Sequence, residues 1–171
     1  MADEYKSRMR IFEVKDHKKD HLELLLLADE QEDMIDRYLE RGEMFALKTH
    51  EGIGAVCVIT DEGDGVLEIK NLAVHPDMQR RGYGRMMIDF VAGYGAGRYH
   101  TLLVGTGDSP MTIPFYERCG FVRSHVVKDF FLNNYDHPII EDGVLLRDMV
   151  YLKRAIPHCP EATSFAGRKS T

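Results

Sequence analysis

At 171 residues the chain fits one domain, which at this size buries roughly two-thirds of its unfolded surface and needs no staples. With 44% hydrophobic and 29% charged residues it is too apolar for a disordered chain. Its net charge of −6 excludes a global positive field for nucleic acid, so any basic patch must be local.

The three cysteines, Cys57, Cys119 and Cys159, lie far apart with no CxxC pair, which argues against a disulfide framework or zinc knuckle and for a cytoplasmic protein. The start, MADEYKSRMR, lacks an apolar h-region, and no apolar run approaches the roughly 18 residues of a membrane span.

In chain order, MRIFEVK (9–15) reads as a first strand. HLELLLLADEQEDMIDRYLERG (21–42) reads as two helices, because Asp29 with Glu32 makes a capping-box pattern for a second start and Gly42 a stop. MFALKTH (44–50) and IGAVCVIT (53–60) form a predicted hairpin across Glu51-Gly52, and VLEIKNLAV (66–74) is a fourth strand after the turn DEGDG. RMMIDFVAGY (85–94) is a helix whose Met87, Phe90, Val91 and Tyr94 make one apolar stripe. HTLLVGT (100–106) is a continuous apolar run, as for a strand covered on both faces. A short helix capped by Ser109 with Pro110 at its first position follows, and Pro114 inside it costs a hydrogen bond or bends it. FVRSHVVKDFFL (121–132) and VLLRDMVYLKR (144–154) are the last strands, with NNYDHPIIEDG as a loop between them. Residues 1–156 are read as the domain and 157–171 as a tail. The order describes a mixed α/β protein with one βαβ crossover.

The stretch HPDMQRRGYGRMM (75–87) puts three arginines and two glycines between the fourth strand and a helix. The first four amides of a helix lack internal partners and carry the positive end of its dipole, so this arrangement suits an anion. The same residues also fit a basic surface turn.

Neighbouring motifs decide between the two. Gln79-Arg80-Arg81-Gly82-Tyr83-Gly84 fits a Q/R-x-x-G-x-G/A loop, Leu72-Ala73-Val74-His75-Pro76 precedes it, and Phe115-Tyr116-Glu117-Arg118-Cys119-Gly120-Phe121 follows about thirty residues on. Together they resemble the GCN5-related N-acetyltransferase (GNAT) superfamily across residues 9–154. The resemblance implies a mostly antiparallel sheet of about 6–7 strands with helices on both faces, splayed between the fourth and fifth strands. It implies acetyl-CoA as co-substrate, with its diphosphate on Gln79, Arg80, Arg81, Gly82, Tyr83, Gly84 and Arg85. Pantetheine would pair with the backbone of Leu72, Ala73 and Val74 beside a strand bulge. Tyr116 matches the tyrosine that protonates the departing thiolate, and Glu68 the position of a catalytic glutamate, although it is also a plausible plain strand residue. Ser109 stands where many relatives carry an asparagine that touches pantetheine. Homodimers are common in similar proteins.

The implied reaction is acyl transfer to a primary amine by direct attack, on a small molecule or a peptide. Such an amine is about one part in a thousand free base at neutral pH, a handicap of roughly 4 kcal/mol, so a proton acceptor is useful. The alternative is a non-catalytic acetyl-CoA-binding sensor of the same fold. VGTGDS (104–109) is a weak dinucleotide-loop match, since Pro110 takes the place of its third glycine. His17 and His21 suggest no third ligand, so no metal is expected. The acceptor side is assigned to Glu23, Asp29, Glu32, Asp33 and Asp36 on the early helices and to Phe130, Phe131, Tyr135, Asp136, Glu141 and Asp142 in a loop capping the pocket. That mix suits a small cationic amine, while a solvated face explains the acidic helix equally.

Overall fold

The computed structural model describes residues 9–158. Cys159 and nearly all of the assigned tail, 159–171, lie outside the described residues. Seven strands form the main sheet: β1 (Arg10–Val14), β2 (Glu43–Thr49), β3 (Gly52–Asp61), β4 (Val66–Val74), β5 (Thr101–Gly107), β6 (Val122–Val127) and β9 (Met149–Ala155). Their spatial order is β1-β2-β3-β4-β5-β9-β6, and β4 with β5 is the one parallel pair. A small hairpin, β7 (Ile140–Glu141) and β8 (Val144–Leu145), stands apart.

Strand alternation sorts the apolar residues onto two faces. In β2, Met44 and Ala46 join Leu25, Ile35 and Leu39 of α1 (Leu22–Ala28) and α2 (Glu32–Leu39) in one core. Phe45 and Leu47 point the other way, into a larger core with Met87, Ile88 and Val91 of α3 (Tyr83–Gly95) and Ile113 of α4 (Thr112–Arg118). The helices therefore cover both faces, and the predicted stripe on α3 packs inward, with Phe90 and Tyr94 edge-on to Phe45.

Several local expectations are corrected. Asp29 does not cap α2: the N-cap is Gln31, with no side-chain cap, and Asp29 closes α1 instead. Gly42 has no left-handed backbone; a Cβ there would meet Tyr38 O and Val58 Cγ1 at 2.8 Å, so closeness of chain to chain requires the glycine. Helix α4 begins at Thr112, which puts Pro114 in its first turn, where the missing N–H would have had no partner. The strand read over 121–132 stops at Val127: Asp129 takes φ 54°, and Phe130–Asn134 form a helix, α5. Tertiary packing overrides the β-propensity of two phenylalanines there, because the helical spacing stacks Phe131 on Tyr135 at 5.5 Å. The strand read over 144–154 is broken at 146–148, where the Asp148 carboxylate accepts the Asp129 amide. The run at 100–106 is covered on one face only: Leu102 and Val104 are buried, whereas Leu103 and Gly105 are half-buried.

Candidate active site

The β4–β5 pairing holds only from Val66–Thr101 to Ile69–Val104. Beyond it the strands part. At the same point β4 carries an extra residue, Lys70, because the β3 register shifts from Ile59–Ile69 to Val58–Asn71. On the far side of this bulge, His75 N–H donates to Gly54 O at 2.8 Å, in register with Val56–Ala73. In an antiparallel ladder alternate residues turn both backbone groups outward, so Leu72 and Val74 present theirs to the gap while Ala73 spends its own on β3. Of the three strand residues assigned to the pantetheine, Leu72 turns both backbone groups and Val74 its N–H to that side, the Val74 carbonyl being taken by Gln79. Ala73 packs into the α1–α2 core.

At the end of β4 the chain enters the arginine-glycine loop. Arg80 and Gly82 both take left-handed backbone, φ 63° and 85°, and Gly82 is the N-cap of α3 with no side chain capping it. The first intrahelical bond runs from Met86 N–H to Gly82 O, so the Tyr83, Gly84 and Arg85 amides open outward. Gly84 is buried against Phe115, where a Cβ would stand 3.0 Å from the ring. The arginines differ in availability: Arg81 is held by Glu51 at 2.9 Å and by Asp77 O, Arg85 reaches Arg118 O, and Arg80 has no partner among the described residues. Gln79 donates to Val74 O at 3.3 Å, tying loop to strand. This cradle fits a diphosphate: uncapped helix amides, close-approach glycines and one uncommitted guanidinium.

The gap opens into a cavity of about 270 Å³. One wall is Ile69–Leu72 of β4 and another Val104–Gly107 of β5 with Thr112 and Tyr116 of α4. The α1–α2 connection (Leu27 to Glu30) and the segment with Phe131, Tyr135, Ile139, Glu141 and Leu146 close it. Tyr116 is 7% exposed, packed edge-on to Phe115 and Phe121, and its hydroxyl has no hydrogen-bond partner among the described residues. Burial pushes that hydroxyl well above the usual phenol range, so it stays protonated.

Glu68 is not brought to the cavity. It lies in the paired part of β4, 6% exposed, with Lys70 Nζ 3.1 Å from its carboxylate. Burial raises its carboxyl and Lys70 opposes that. Lys70, which the sequence did not flag, does line the cavity and also reaches Glu62 at 3.6 Å. Ser109 is buried and accepts the Met111 amide at the start of α4 rather than facing the cavity.

Of the acceptor-side residues read from sequence, Asp29, Phe131, Tyr135 and Glu141 line the cavity. Glu32 and Asp36 instead share Lys19 on the surface, and Glu23, Asp33, Phe130, Asp136 and Asp142 do not line the cavity. Asp29 accepts from Tyr135 Oη at 2.7 Å and Tyr38 Oη at 3.2 Å. Tyr38 in turn accepts from Asn71 Nδ2 at 3.1 Å. Burial raises the Asp29 carboxyl, and the two tyrosine hydroxyls pull the other way. No contiguous motif marks this group; its members come from four separate segments. Among the described residues no helix is long and apolar enough to cross a membrane.

A family model described as an acetyltransferase (GNAT) domain matches residues 40–123. The uncharacterized N-acetyltransferase YvbK of Bacillus subtilis (strain 168) is 36% identical over 132 residues, spanning 76% of this chain and 85% of its own. Among solved structures, a GNAT family acetyltransferase from Elizabethkingia anophelis with acetyl-CoA bound has a TM-score of 0.80 at 32% identity, covering 86% of this chain and 98% of that one. A Bacillus subtilis acetyltransferase in complex with CoA has a TM-score of 0.77 at 33% identity, over 88% and 100% of the two chains. Splayed sheet, uncapped loop and relatives agree: the chain belongs to the GNAT superfamily of acetyl-CoA-dependent acetyltransferases.

Proposed function

We propose that the protein transfers the acetyl group of acetyl-CoA to a primary amine by direct attack, with the donor on the 79–85 loop and along β4 and the acceptor in the 270 Å³ cavity. The observation that carries this reading is the parting of β4 from β5 after Ile69–Val104, beside a cavity that both Leu72 and Tyr116 line. When bound, acetyl-CoA supplies a thioester whose C–S bond breaks as the C–N bond forms. Gly82, Tyr83, Gly84 and Arg85 bind the diphosphate, joined by Arg80, while Gln79 and Arg81 hold the loop to Val74 and Glu51. Leu72 and Val74 orient the pantetheine arm and the thioester carbonyl. Ser109 supports the start of α4.

Tyr116 is the proton donor to the leaving sulfur, because a buried, neutral phenol with an unspent hydroxyl is what a departing thiolate needs. The attacking nitrogen gives up two protons overall: one ends on sulfur through Tyr116, the other passes to a carboxylate that lines the cavity. Glu68 acts at one remove in this reading. It holds the Lys70 ammonium at 3.1 Å. A cytoplasmic setting suits the buried free thiols of Cys57 and Cys119. The test is calorimetric titration with acetyl-CoA, then thiol release across a panel of primary amines. Binding plus amine-dependent release is the expected result; binding without turnover of any amine would favour the sensor.

A further inference from the structure

The polar groups around the acceptor cavity have unspent capacity of one kind. Asp29 has no cationic partner within 4 Å among the described residues; its two tyrosine donors and the Gln31 amide leave its carboxylate room for a further donor. Glu141 likewise has no cation, only the Thr112 hydroxyl at 3.3 Å. Asn71, a cavity residue 2% exposed, gives its amide hydrogens to Leu25 O and Tyr38 Oη. Its Oδ1 is fully enclosed and has no hydrogen bond among the described residues. The two carboxylates, both half-buried in the cavity lining, are acceptors open to a donor. The cavity's one cation, Lys70, is committed to Glu68 and Glu62. Half-buried carboxylates held without counter-ions are costly unless a ligand supplies the donors. An ammonium group is all donor, with three N–H bonds and no lone pair.

Resting on the acetyltransferase reading above, we propose that the acceptor is a short aliphatic amine bearing a second positive charge, with its distal ammonium held by Asp29 and its reacting nitrogen beside Glu141. The assignment of ends follows from the supports. Glu141 is bonded to Thr112, one turn before Tyr116 on α4, and its charge bears on the Tyr116 hydroxyl. Asp29 is fixed instead by Tyr38 of α2 and by Tyr135 beyond α5. The reacting ammonium loses a proton to Glu141, and its freed lone pair forms the C–N bond as the C–S bond breaks. The second amine proton restores the Tyr116 hydroxyl after that hydroxyl has protonated the departing sulfur. Burial raises the Glu141 carboxyl and so makes it a better base for this step. Size sets the chain length: a 270 Å³ space lies below the usual range of about 300–1,000 Å³ for ligand pockets. It must hold thioester and acceptor together, which favours a short chain.

The test compares butane-1,4-diamine, butan-1-amine and 4-aminobutanoate as acceptors for the full chain with acetyl-CoA, while acetyl-CoA affinity is measured separately by calorimetry. The diamine is expected to exceed butan-1-amine in kcat/KM by at least about tenfold, the worth of one charge-assisted hydrogen bond, with 4-aminobutanoate last. In Asp29→Asn the ratio of diamine to monoamine falls toward one, chiefly through KM, and Asp29→Glu restores part of it. Equal use of the two amines, a preference for 4-aminobutanoate, or an unchanged ratio in Asp29→Asn overturns the proposal. So does acetyl-CoA binding with no turnover of any of the three, which leaves the donor reading standing; failure to bind acetyl-CoA at all sinks that reading instead. Should Asp29→Asn not fold, the wild-type preference alone decides.

Discussion

The donor cradle and the acceptor cavity are built by different means. The cradle is seven consecutive residues, 79–85, and it works through backbone: a left-handed Gly82, a buried Gly84 and the uncapped first turn of α3. The cavity is assembled from side chains on β4, β5, α4, the α1–α2 connection and the 131–146 segment. Backbone recognition needs only a conformation, which a short motif can encode. Side-chain recognition needs several segments brought together, so it can change without disturbing the donor half.

The sharpest way to break that contrast is Gly82→Asp. A side chain at φ 85° is strained, and a carboxylate at the helix N-terminus repels the diphosphate, so acetyl-CoA affinity falls at least about a hundredfold. Calorimetry reads it, and normal affinity would remove the cradle. Next is Tyr116→Phe, which strips one oxygen from the cavity wall. Turnover drops about a hundredfold while acetyl-CoA affinity stays within about twofold; unchanged kcat would take Tyr116 out of the acid role. Glu68→Gln is smaller, with kcat lowered within about threefold, because its carboxylate acts through Lys70 rather than on the substrate. A loss as large as that of Tyr116→Phe would restore Glu68 as the base.

The mildest test concerns pH. Burial raises the Asp29 carboxyl in the folded state, so its ionisation costs folding stability, and that cost grows as pH rises through the folded value and vanishes below the unfolded one, about 3.9. Asp29→Asn is therefore expected to match or exceed the wild type in urea midpoint at pH 8, with any advantage fading as pH falls toward 4. A variant less stable at pH 8 would mean that the tyrosine bonds outweigh the burial.

The contrast also explains what could be read from the chain. The cradle, the βαβ crossover and the β2–β3 hairpin were legible because each is written in neighbouring residues: Gly82-Tyr83-Gly84, or the apolar runs on either side of Glu51-Gly52. The cavity was legible in part. Phe131, Tyr135, Asp29 and Glu141 stood out as aromatic and acidic residues, yet nothing local separated them from Glu32 and Asp36, which Lys19 holds on the surface. The helix at 130–134 was hidden because its phenylalanines favour strand locally, and only the stacking of Phe131 on Tyr135 and the packing with Ile139 and Leu146 reverse that preference. Lys70 and Asn71 escaped notice for a different reason. Their importance comes from a bulge, which depends on how β4 registers with β3.

That bulge makes the site sensitive to length in a way no substitution would reveal. Leu67 and Ile69 before Lys70, and Leu72 and Val74 after it, all pack toward the same core, which a strict two-residue alternation would forbid. Deleting any one residue between 69 and 72 shifts the strand's phase beyond the cut. Leucine and valine would then turn toward α1, and the peptide groups facing the gap would become those that now serve β3. In this family of sequences the number of residues across the bulge of β4 should therefore hardly vary.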